Sequence, residues 1–96
     1  MYDYSTKFGD KQLVAEMTSG GGYEWAVFGL FRDDAGRLYT AYDSGCSCYG
    51  PWESEPDFDR HDNVLSVLNA AKAEADDSHW FGQAEYEAFK KEVLAL

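Results

Sequence analysis

The sequence predicts an α+β domain: a three- to four-stranded antiparallel sheet, an N-terminal meander, followed by two C-terminal helices packed on one of its faces. Three observations lead there. Residues 11–43 carry strand-type runs separated by glycine- and aspartate-rich breaks. Residues 62–95 carry apolar side chains at helical spacing. The two regimes meet at a cysteine- and proline-bearing joint, SGCSCYGPWE, over Ser44–Glu53.

The elements follow in chain order. Residues 1–10 are polar and aromatic and read as an arm or a short strand. Lys11–Thr18 alternates weakly, with Leu13, Val14, Ala15 and Met17 as its apolar content, and reads as a strand. Ser19-Gly20-Gly21-Gly22 reads as a hairpin connection, because glycine loses most entropy when ordered. Neither a helix start nor a lysine follows it, so it is not a phosphate-binding loop. Tyr23–Arg32, YEWAVFGLFR, is the strongest strand. Both of its faces are mostly apolar, which places it centrally. Gly29 marks a bulge or a close approach from a neighbouring element. Asp33-Asp34-Ala35-Gly36 is a tight turn, and Arg37–Asp43 returns as the next strand.

Pro51 and Pro56 bracket a connection around Trp52. Asp59, three residues before Asp62, reads as a helix start. Val64, Leu65, Val67, Leu68, Ala71 and Ala75 then define an amphipathic helix over Asp62–Asp76. The run Asp76-Asp77-Ser78-His79 ends it, since acids at a helix C-terminus oppose the dipole. A second helix starts at Ser78 or Gly82 and reaches Ala95, with Tyr86, Phe89 and Val93 as its stripe.

The totals narrow function. A chain of 96 residues is one domain and not two, so 1–96 is read as a single unit. Eighteen acidic against eight basic residues give a formal charge of −10. A surface that negative repels nucleic acid and anionic lipid and suits a basic partner or plain solubility. No apolar run approaches the ~20 residues that span a bilayer, and the N-terminus has no signal-peptide pattern. The expectation is a soluble intracellular protein in a reducing compartment.

Each candidate site has a functional and a structural reading. Cys46 and Cys48, two apart, can face one point if the segment is extended. Zinc would need two further ligands, and only His61 and His79 are available, each isolated. The structural reading is a pair of small thiols buried beside the sheet. A nucleophilic thiol would need a lowered pKa, which the acidic surroundings oppose. His61 and His79 lack a serine motif or an acidic orienter and read as surface or capping residues. Trp52 either locks its loop onto the core or anchors a partner. Glu53, Glu55, Asp57, Asp59 and Asp62 form either a solvated face or, with Tyr49 and Trp52, a partner-binding surface that imitates the charge of a nucleic acid. No metal site and no cofactor fingerprint are assigned.

The string YDSGCSCYGPWE, preceded by the strand LYTA and followed by an acid-rich helix entry, resembles small uncharacterised proteins of actinobacterial phages. Those proteins carry a Gly-Cys-x-Cys-x-Gly-Pro segment after an antiparallel strand. HWFGQAEYEAF is similar to the start of their C-terminal helix. The resemblance covers most of Tyr23–Leu96 and transfers no activity or site residue. It implies a phage gene product acting in the cytoplasm of a bacterial host. The combined expectation is a non-catalytic acidic binder that modulates a host or anti-phage defence protein, touching neither nucleic acid nor membrane directly. The alternative is a small-ligand or metal-binding domain using the Cys46/Cys48 loop.

Overall fold

The computed structural model describes residues 6–21, 23–48, 50–77 and 80–96. Among them five strands form one antiparallel sheet in sequential order. The strands are β1 (Lys7–Phe8), β2 (Lys11–Gly21), β3 (Glu24–Arg32), β4 (Leu38–Cys46) and β5 (Asp59–His61). Two helices follow, α1 (Val64–Asp77) and α2 (Gln83–Leu94). The expected α+β order holds, with β3 at the centre of the sheet. One more strand than expected is present, because short β1 and β5 pair with the flanks of the meander.

Strand β4 runs past its expected end at Asp43 to Cys46, paired through Ala26↔Ser44, Trp25↔Gly45 and Glu24↔Cys46, and the boundaries at two joints differ as well. The ladder between β2 and β3 continues through Ser19↔Ala26, Gly20↔Trp25 and Gly21↔Glu24. Glycine forfeits side-chain packing but keeps its ladder hydrogen bonds; Gly22, the last residue of the expected connection, lies outside the described residues. At the other joint, Asp59 opens β5 instead of a helix, pairing with Thr40. Helix α1 starts later, where the Asn63 side-chain oxygen accepts the Ser66 N–H at 2.9 Å. Helix α2 starts after Gly82, whose N–H donates to the Glu85 carboxylate at 2.6 Å.

The β3–β4 turn is organised by Asp33. Its Oδ1 accepts the N–H groups of Ala35 and Arg37 at 3.0 and 2.8 Å, and its Oδ2 accepts Arg37 Nε and the Tyr39 hydroxyl at 2.7 and 2.9 Å. Gly36, at φ 84°, supplies the left-handed residue. A bulge at Val14 interrupts the β2 register between Leu13 and Ala15. It sends Leu13 to one face of the sheet and Ala15 and Met17 to the other.

Both faces of the sheet are covered. Helices α1 and α2 bury Val67, Leu68, Ala71, Tyr86, Phe89 and Val93 against Ala15, Met17, Ala26, Phe28 and Leu30. The opposite face carries Leu13, Val27, Phe31 and Ala41, roofed by Trp52, with Phe8, Phe58 and Tyr39 packed around them. The roof over that second face is therefore the irregular segment between β4 and β5. No helix among the described residues is long and apolar enough to cross a membrane.

Candidate functional site

The segment after β4 is held by its ring at residue 52. Trp52 is 8% exposed and stands edge-on to Phe31, with centroids 5.1 Å apart. Its backbone N–H donates to Asp43 Oδ2 at 2.9 Å and its indole Nε1 donates to Glu16 Oε2 at 3.1 Å. Gly29 makes room for it: a Cβ there would meet Trp52 Cζ2 and Leu13 Cδ1, each at 2.9 Å. The close approach expected at Gly29 is thus the indole of Trp52. Of the two readings for Trp52, the structure has the first. The ring is an internal anchor and is not displayed to a partner.

Downstream, exposure alternates. Glu55, Asp57 and Asp59 are exposed, Pro56 and Phe58 between them are half-buried, and Phe58 packs against the sheet. Phe58 lies 5.1 Å from Phe31, centroid to centroid. The segment is a strap: apolar residues pin its inner side and carboxylates line its outer side. In extended chain, alternate residues recur about every 7 Å. Glu53 and Asp62 are also exposed, and the Glu53 carboxylate accepts the Gly50 N–H. The basic groups beside the strap are Arg60, in β5, and Lys11, whose ammonium sits 4.8 Å from the Tyr39 ring centroid and 5.5 Å from that of Phe58. Tyr49 and His79 lie outside the described residues.

The cysteines and His61 are not brought together. His61 pairs with Leu38 at the start of β4, whereas Cys46 ends that strand, roughly 25 Å away in extended chain. Its ring bridges the Thr40 hydroxyl and the Ser66 hydroxyl, each at 2.8 Å, joining the sheet to α1. His61 is therefore not the surface or capping residue that its sequence position suggests but a half-buried bridge between layers. Among the described residues, no group of three or more His, Cys, Asp or Glu could hold a metal ion.

The expected burial of both thiols is corrected as well. Cys46 is half-buried and Cys48 is exposed, because the chain has left the sheet by residue 47. The Cys48 backbone N–H and then its thiol donate toward the Cys46 sulfur, which holds the Cys46 thiol below its ordinary pKa. Burial and the Glu24 carboxylate push it the other way and do not prevail. An acidic neighbourhood, seen from the sequence, concealed these local donors.

Clefts open on the surface among the described residues. One, of about 510 Å³, lies between β2 and α2, where Glu16, Glu85 and Glu92 surround Met17 and Ala88. Burial, then the charge of Glu16, raises the Glu92 carboxyl above its usual range. Another, of about 360 Å³, is lined by Glu24, Trp25, Ser44, Gly45, Cys46 and Trp80. Glu24, Trp25 and Trp80 were not singled out from the sequence as partners of Cys46. The signal was available in part, because a tight turn at Asp33–Gly36 dictates that Glu24 pairs with Cys46 and Trp25 with Gly45.

A family model described as a domain of unknown function (DUF7574) matches residues 1–96. No curated protein and no solved structure matches the chain.

Proposed function

The chain belongs to that family of domains of unknown function, and on that premise we propose that it is a non-catalytic binding protein. It presents the strap over 53–62 to a basic surface on a host or anti-phage defence protein, where the strap takes the place of nucleic acid. The setting, a phage protein in the cytoplasm of a bacterial host, comes from the resemblance to actinobacteriophage proteins. The observation that carries the reading is the pinned strap, with Phe58 packed on the sheet and Glu55, Asp57 and Asp59 exposed. Carboxylates fixed before binding lose less entropy on association than carboxylates on a loose loop. A net charge of −10 would speed encounter with a basic partner. The His61–Ser66 pair gives little support to an enzyme reading: a hydroxyl, Thr40, stands behind the imidazole where a catalytic triad has a carboxylate.

The test compares two variants of equal charge. One neutralises the strap (Glu55→Gln, Asp57→Asn, Asp59→Asn) and leaves Glu53 because it caps Gly50. The other neutralises exposed helix acids (Asp76→Asn, Asp77→Asn, Glu87→Gln). The immobilised wild type and the helix variant should retain the same host protein, the strap variant should lose it, and retention should weaken steeply as salt rises. Equal retention by both variants, or nothing retained above background, would refute the strap as the binding surface.

A further inference from the structure

Strand β2 is 11 residues long, and its outer side is paired at one end. Lys11 and Gln12 pair with β1, and the Leu13 N–H donates to the Thr6 carbonyl at 3.0 Å. From Ala15 to Gly21 the inner side is laddered to β3, and among the described residues no strand pairs with the outer side. In an antiparallel ladder alternate residues turn their N–H and C=O groups away from the partner, so this stretch directs a row of them outward. Helix α2 runs beside that edge and leaves the cleft of about 510 Å³ between helix and strand. Met17 and Thr18 line it from the strand, and Ala88, small and exposed, lines it from the helix. Glu85 and Glu92 stand on the helix side, and Glu16, held by the Trp52 indole N–H, stands on the strand. No lysine or arginine is among the described lining residues.

We propose that this edge and cleft dock an extended basic segment of a partner protein, which adds to β2 as a further strand and lays lysine or arginine side chains among Glu16, Glu85 and Glu92. In this mode main-chain hydrogen bonds supply affinity, and the groups flanking the edge choose the sequence. The charge of the cleft identifies the occupant. Three carboxylates around one strand edge reject an acidic strand and favour a basic one over an uncharged one. They also disfavour a second copy of this chain, which would bring its own Glu16, Glu85 and Glu92 to the same edge. Both walls of the groove are regular elements already packed on each other through Met17, Phe89 and Val93, so little ordering is needed when the segment arrives. The inference does not rest on the strap, whose outward carboxylates belong to other residues.

The test uses two acetylated, amidated octapeptides of equal charge, one alternating lysine with valine and the other alternating lysine with proline. Proline has no N–H to donate to a ladder, so the second peptide measures attraction by charge alone. At low salt the full chain should bind the Lys–Val peptide about tenfold or more tighter than the Lys–Pro peptide, read by fluorescence anisotropy, and salt should weaken the binding. A peptide alternating glutamate with valine should not bind. Amide exchange, read residue by residue by NMR, should be fast at alternate positions over 15–21 and should slow there when the Lys–Val peptide is added. Ala88→Lys puts a positive charge in the cleft at an exposed helix position; it should weaken binding about tenfold and leave the denaturant midpoint near that of wild type. The strap variant should bind the peptide as wild type does, which separates this result from that of the strap test. Equal binding of the Lys–Val and Lys–Pro peptides, or no slowing of exchange in β2, would overturn the proposal. So would slow exchange at every position over 15–21 before any peptide is added. The edge would then be covered already, by a second copy if the chain elutes as a dimer or by its own residues 1–5 if it elutes as a monomer.

Discussion

At Gly29 an added Cβ would lie 2.9 Å from both Leu13 Cδ1 and Trp52 Cζ2 and 3.2 Å from Phe31 Cε1. Gly29 is an ordinary strand residue in conformation, so the demand for glycine is steric and comes from the far side of the molecule. Those three side chains are packed together on the face opposite the helices and have nowhere to retreat. Gly29→Ala should therefore destabilise the fold by about 1–3 kcal/mol, the usual cost of overpacking, read as a lower denaturant midpoint. A midpoint equal to wild type would mean that the strap does not sit on Gly29. Asp33 is the other residue on which a whole connection depends. Burial opposes its ionisation, but the Arg37 N–H, the Tyr39 hydroxyl and the Arg37 side chain outweigh it, and the carboxyl is lowered to about 2. One side chain thus closes the β3–β4 turn and fixes the register that brings Trp25 opposite Gly45.

The element that distinguishes this fold is the segment between β4 and β5. It has no regular secondary structure over residues 50–58, yet it serves as a layer, because Trp52 and Phe58 together pack on Phe31. Trp52 holds a backbone φ of 63°, uncommon outside glycine, and the indole contacts and the Asp43 bond offset that strain. Trp52→Ala should cost about 3–5 kcal/mol of stability, or unfold the chain outright. In a chain still folded, amide exchange should accelerate over 53–58 well before it does in β3. If the strap kept its protection in Trp52→Ala, Phe58 would be its real anchor. On the other face, His61 ties β5 to α1 through Thr40 and Ser66. The Thr40 hydroxyl is buried, so the imidazole also satisfies a group that would otherwise be unpaired.

For the whole molecule the carboxylates pull stability in two directions. Glu74 is raised by burial and then by the charge of Asp77, and Glu92 by burial and then by Glu16. Folded forms with raised carboxyl pKa values bind protons more tightly than the unfolded chain. Their contribution therefore improves as pH falls from neutral through those raised values. Asp33 works in the opposite sense: its lowered pKa stabilises the fold above the ordinary carboxylate range, and that contribution is lost as pH falls from about 4 towards about 2. Stability measured against pH should rise from neutral to mildly acidic conditions and then fall. Glu92→Gln should reduce the rise, and Asp33→Asn should flatten the acid limb. A stability profile that declined steadily from neutral pH downward would contradict the balance.

The order of strands and helices, the central place of β3, the turn at Asp33–Gly36 and the stripes of both helices were legible in the sequence. Each is written in residues close along the chain, where periodicity and turn chemistry act. The site was less legible. Trp52 and the acidic run were visible as residues, but the strap that combines them was not. It depends on Glu16, Gly29 and Phe31, which are distant along the chain and meet the loop only across the folded sheet. The Val14 bulge was hidden too, since one extra residue exchanges the faces of a strand without altering its composition. The lowered thiol of Cys46 depends on where a backbone N–H points, which no residue type records. Local pattern determined which segments would be strand, turn or helix; the folded packing alone decided which face each side chain occupies and what it meets there, because those choices rest on contacts between parts of the chain that only folding brings together.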